Sequence, residues 1–294
     1  MTALDRRALD ARPFPRETLD RLVAAIDVND RIDLDAELPT SAPPEHAPEA
    51  FVTGFRLSRQ LWQDRFDAPA LASLAGRLRA GEEIDAATRA WFKQVRAAFK
   101  HLRFACFLYD ARHRAPPLLS LVTLELGEVQ DAVRTRRPDL RRHATALRLL
   151  LTGPARGLLS REVNRLRPTD AAGLSAFTRA QVASLAPLLI TRDTGAHAFH
   201  AARKVVSRQV SFHDDMRTLF PDGDAGAHHR AMARWLATLN GLMGQLHDEL
   251  VAGHAAGSFD YRRGSLTLPE AIANRLAALV ALYRGTSNSY PPSA

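Results

Sequence analysis

The sequence predicts an all-α protein, and three observations carry that expectation. Apolar residues recur at three- and four-residue spacing, alternating strand patterns are almost absent, and prolines and glycines punctuate long periodic stretches. With 294 residues, 46% hydrophobic and 24% charged, the chain can build one large core or two small ones.

In order, the pattern predicts a short helix at 17–26 and then the acidic, proline-containing stretch "DVNDRIDLDAELPTSAPPEHAPEA". Few apolar residues and many carboxylates make that stretch a linker or loosely attached arm. Helices follow at about 47–66, 69–80 and 86–110. Pro116-Pro117 then separates the last of these from a helix at 118–136. Further helices are expected at 139–151, 155–166, 170–190, 195–219, 227–256 and 269–284, the last opened by Pro269 and stopped by Gly285. The expected organisation is an N-terminal extension over 1–46 and a helical domain over 47–294, with halves at about 47–166 and 167–294.

The two halves read alike. In each, a basic helix is followed by a helix bearing a hydrophobe, Gly, three residues and Asp: "LELGEVQDAV" with Gly127 and Asp131, then "GLMGQLHDEL" with Gly244 and Asp248. The offset is 107 residues between Arg96 and Arg203 and 117 between Gly127 and Gly244, a difference that one loop absorbs. Each glycine admits a close neighbour, and Asp131 and Asp248, one turn later, are expected to brace the bundle from within.

Lys93, Arg96, Lys100 and Arg103 fall at helical spacing and form one stripe, beside His101. Phe92, Val95, Phe99, Leu102, Cys106 and Tyr109 form the flank expected in the core. In the second basic helix the polar arc is His200, Arg203, Lys204, Ser207, Arg208 and Ser211, and the apolar one Val205, Val206, Phe212 and Met216. No carboxylate interrupts 86–109, so neutralising charge must come from another helix or from a bound anion. The chain carries 40 Lys+Arg against 32 Asp+Glu, a net charge of +8, yet its only three lysines are Lys93, Lys100 and Lys204. Lysine is a compact, flexible point charge suited to a mobile chain of phosphates, where arginine offers a planar fork.

One cysteine, Cys106, excludes a disulfide and a cysteine-based zinc site. The opening residues lack the apolar core of a signal peptide and no apolar run approaches membrane-spanning length, so a cytoplasmic protein without a membrane partner is expected. A HExxH motif, a phosphate-binding glycine loop and a nucleophile elbow are absent.

These residues resemble the CHAD family, the conserved histidine α-helical domain. Its halves each carry a helix of the form His-x-x-Arg-x-x-x-(Lys/Arg)-Arg-Leu-Arg and a later helix with Leu-Gly-x-x-(Arg/His)-Asp. The stretch "FHAARKVVSRQVSFHDDMRTLFP" matches at His200, Arg203, Leu219, Phe220 and Pro221, and "LNGLMGQLHD" adds Gly244, His247 and Asp248. In the first half "RAAFKHLRF" supplies Arg96, Lys100, His101 and Arg103, and "LGEVQD" supplies Gly127 and Asp131. The sequence departs from the pattern at Lys93, where the family has histidine, and at Ser207 and Val210, where it prefers cations.

The resemblance implies two pseudo-twofold-related antiparallel bundles around a basic groove that binds inorganic polyphosphate, in association with polyphosphate granules. It implies no cofactor, metal or catalysis. Lys93, Arg96, Lys100, His101, Arg103, His200, Arg203, Lys204 and Arg208 are the expected ligand contacts, with Gly127, Asp131, Gly244, His247 and Asp248 orienting them. Nucleic acid is an alternative partner, because any phosphate polymer meets the same cations, although Phe92, Phe99 and Phe104 point to the core rather than forming stacking platforms. The pairs His213-Asp214 and His247-Asp248 leave a metal-dependent phosphohydrolase as the enzyme alternative, and the acidic arm leaves a protein-interaction bundle.

Overall fold

Capping chemistry sets the helix ends in the computed structural model, which describes residues 12–40, 44, 46–165, 167–191 and 193–285. The helices are α1 (Arg16–Asp27), α2 (Pro48–Arg65), α3 (Ala68–Ala80), α4 (Ala86–Tyr109), α5 (Pro117–Thr135) and α6 (Leu140–Leu151). They continue with α7 (Gly153–Val163), α8 (Ala171–Ala183), α9 (Ala186–Thr191), α10 (Ala196–Leu219), α11 (Gly223–Ala255) and α12 (Glu270–Gly285). The Asp67 and Asp85 carboxylates accept from Ala70 N at 3.0 Å and Thr88 N at 2.7 Å, opening α3 and α4. The bond from Thr88 N holds the Asp85 carboxyl below its ordinary range. Pro48 and Pro117 open α2 and α5, where a missing N–H costs nothing, and Gly81 closes α3 at φ 88°.

The all-α expectation holds, with two departures. The helix expected at 170–190 breaks into α8 and α9. Pro187 has no N–H for a continuing ladder, and the turn before it drops Leu185 into the core. Two strands, β1 (Asp193–Gly195) and β2 (Ser265–Thr267), pair antiparallel with Thr194 opposite Leu266. Three residues are too few to register as alternation. The apolar content of 171–191 also exceeds expectation. With mean hydropathy 1.2, it is the segment among the described residues long and apolar enough to cross a membrane. Val182 and Leu185 of that segment are wholly buried in a core of this chain.

Contacts divide the chain into two units, Met1–Leu19 with Ala47–Asp170 and Asp20–His46 with Ala171–Ala294. In the first, α2 packs along α4, α3 along α6, and α5 against both α4 and α6, with α7 closing on α5 and α6. Phe55, Phe99, Leu102, Leu108, Tyr109 and Leu126 fill its core, and Trp62 meets Phe99 edge-on at 5.8 Å. Every residue expected on the apolar flank of α4 is buried, including Cys106, whose thiol burial pushes up and out of reactive range.

In the second unit α10 and α11 form the longest contact, with α12 and the β pair against them. Phe199, Val206, Trp235, Leu239, Met243, Leu276 and Leu279 make the core.

The acidic stretch after α1 is not a loose arm. Residues 29–38 run as a strap along α11 and α12. Asn240 Nδ2 donates to Asn29 O at 2.8 Å, and Thr238 Oγ1 accepts from Asp33 N at 3.1 Å and donates to Asp33 O at 2.9 Å. Arg234 pairs with the Asp33 carboxylate at 2.5 Å, Arg275 donates to Leu34 O at 3.1 Å, and Ala36 enters the core. The strap's main-chain groups thus find partners on the helices, which its charged composition conceals. A unit boundary falls between His46 and Ala47, but residues 1–46 are not a single extension. The units also part within α1, between Leu19 and Asp20, and 20–46 belongs with the second unit.

Candidate functional site

The two basic helices, α4 and α10, present their cations differently. On α4, Lys93 is exposed and Arg96, Lys100 and Arg103 are half-buried. Lys100 Nζ lies 5.6 Å from the Phe104 ring centre, and the Arg103 guanidinium sits 5.5 Å from that of Phe107 while donating to Ser120 Oγ at 3.3 Å. The stripe expected from spacing exists. His101, expected among the ligand contacts, is instead 3% exposed, because its position turns into the bundle.

On α10 the polar arc is accessible only at its start. His200, Arg203 and Lys204 are half-buried, whereas Ser207, Arg208 and Ser211 are buried. Arg208 is thereby corrected from a ligand contact to a packing residue: its guanidinium bonds the Gln181 side chain of α8.

Both glycines do the same thing. A side chain built on Gly127 would meet Arg96 Nη2 at 3.5 Å, and one built on Gly244 would meet Arg203 Nη2 at 2.9 Å. In each unit the arginine of the basic helix lies across the bare glycine surface of the helix that follows. The glycines admit a guanidinium, where the sequence suggested a whole helix. The Gly244 seat is the tighter of the two.

The aspartates do not brace the interior. The Asp131 side chain is 44% exposed and reaches Arg134 at 3.5 Å, and that of Asp248 is 58% exposed beside His247 at 3.8 Å. Solvent screening leaves such pairs little energy, so Asp131→Ala is expected to change unfolding free energy by less than about 1 kcal/mol in a denaturant titration.

Around His200 the second unit gathers groups the sequence did not connect. The His200 and His247 rings stand 4.9 Å apart, Tyr261 Oη meets His247 Nε2 at 3.1 Å, and His197 lies edge-on to Tyr261 at 5.4 Å. Burial, then Lys204, His247, Arg203 and His197, push His200 down to about 3, so its ring is neutral at pH 7. It is a neutral donor or acceptor there, not a cation. Tyr261 follows α11 in an irregular stretch that carried no sequence signal.

The two His-Asp pairs are differently used. His213 is wholly buried with other histidines, and Asp214 pairs with Arg217 at 2.7 Å. Among the described residues no group of three or more His, Cys, Asp or Glu side chains is arranged to hold a metal ion. No family model, curated protein or solved structure matches the chain.

Proposed function

We propose that this chain binds inorganic polyphosphate through the accessible cations of α4 and α10, as its resemblance to CHAD domains implies. The observation that carries the reading is the repeated seat, Arg96 on Gly127 and Arg203 on Gly244, with Lys100 and Lys204 farther along the same helices. The seat fixes each guanidinium while the lysine on the same helix follows a mobile polymer. A linear polyanion matches a row of cations, and its affinity comes mainly from released counterions. Binding of this kind needs no nucleophile, base or cofactor. On this reading the protein is a non-catalytic companion of polyphosphate granules in the cytoplasm.

The test is a titration of the purified chain with polyphosphate, RNA and DNA at equal charge concentration. Polyphosphate is expected to bind tightest and to weaken by about two to three orders of magnitude between roughly 50 and 200 mM salt. Salt-independent affinity would sink the proposal. Equal binding of nucleic acid would replace polyphosphate with a general phosphate-polymer ligand.

A further inference from the structure

The second unit holds a chain of three imidazoles far from the basic helix start. His46, the last residue of this unit before the chain passes to Ala47 of the first, brings its Nε2 to 2.8 Å from His229 Nε2. His229 Nδ1 in turn lies 2.7 Å from His213 Nδ1. His213 and His229 are fully buried. His46 stacks on Phe220 at 5.1 Å, and Phe212 sits edge-on to both His213 and His229.

A neutral imidazole has one donor and one acceptor nitrogen. His229 spends both in this chain, so it donates in one contact and accepts in the other, and all three rings share a single direction. His213 Nε2, at the buried end, meets no hydrogen-bond partner among the described residues. An unmet acceptor is better tolerated in a core than an unmet N–H, which favours donation from His213 to His229 to His46. An added proton either sets two donors face to face across a contact of less than 3 Å or charges His213 at its buried Nε2, where no group among the described residues accepts it.

We propose that His46, His229 and His213 form an acid-released clasp, which fastens the crossover between the units to α10 and α11 at neutral pH and frees it when the histidines charge. Among the described residues, the charged and titratable groups that act on the chain oppose a proton there. They are His213 and Arg217 from α10, His228 and His229 from α11, and His46 from the crossover. The nearest carboxylate on α10, Asp214, is engaged by Arg217. Burial first, and these neighbours second, push His229 down to about 3 and lower His46 and His213. The sign follows. Released imidazoles take protons from about pH 6.5 downward while clasped ones do not, so the clasp is at full strength above that pH and weakens as pH falls toward 3.

Hydrogen exchange by mass spectrometry tests it, corrected for intrinsic rates, on peptides covering 29–50 and on α12 as an internal control. From about pH 7.5 to about pH 5 the 29–50 peptides of the parent chain are expected to lose protection by about tenfold or more while α12 keeps its own. His229→Gln alters the buried core and can fail to fold, so the informative variant is His46→Gln at the half-buried end. It is expected to be as open at pH 7.5 as the parent at pH 5, with no further pH response. The proposal is overturned by equal protection of the parent at both pH values. It is equally overturned by a pH response retained in His46→Gln, or by a loss at pH 5 that spreads evenly over α10, α11 and α12.

Discussion

Gly241→Ala is expected to destabilise the second unit by about 1–3 kcal/mol, by lifting the strap off α11. An added Cβ would stand 2.2 Å from Asp30 O and 2.8 Å from Ile32 Cγ1. The nearer obstacle is main chain, which no rotamer change removes. Relief requires the strap to move, and the bonds at Asn240, Thr238 and Arg234 lengthen with it. Gly157 of α7 supplies the control, since nothing lies within 4 Å of its missing Cβ. There alanine is expected to gain stability, by about 0.5–1 kcal/mol, from helix propensity alone. Denaturant midpoints for both variants decide the matter. If Gly241→Ala proves as stable as the parent, the strap is not seated on α11.

Replacing Lys93, Lys100 and Lys204 together with glutamine is expected to cut polyphosphate affinity while leaving the fold intact. Each lysine removed takes away about 0.7–0.9 of a released counterion, so the slope of log affinity against log salt should flatten by about 2. Lys93 is exposed and the other two are half-buried, so the stability change is expected within about 0.5 kcal/mol. An unchanged salt slope would show that the arginines alone meet the polymer. The restriction of lysine to α4 and α10 would then have no bearing on binding.

How much of this was legible in the sequence depends on the range of the interaction. Helix positions came from local signals: three- and four-residue apolar spacing, the break at Pro116-Pro117, and Pro269 and Gly285 at the ends of the last helix, which spans Glu270–Gly285. The stripe on α4 and its buried flank followed from spacing alone, and the repeat matched Arg96 to Arg203 and Gly127 to Gly244, but the contact of each arginine with its glycine was not read. The strap was missed because most of its anchors are main-chain groups, the carbonyls of Asn29, Asp33 and Leu34 and the Asp33 N–H, which look the same in a linker as in a docked segment. His46 and His229 are 183 residues apart, so no spacing rule connects them. His101 and Arg208 were placed in the site because periodicity identifies a face without saying how deep it lies.

The strap also bears on how the protein is made. Asp33 and Thr238 are 205 residues apart, and Arg275 reaches back 241 residues to Leu34 O. At roughly 5–20 residues per second of synthesis, the strap waits about 10–50 s for the helices that receive it. During that interval Ala36 and Leu38 have no core to enter, and the late closure of so long a loop slows folding. The acidic, proline-bearing composition that disguised the segment as a linker is therefore also what keeps it soluble while it waits.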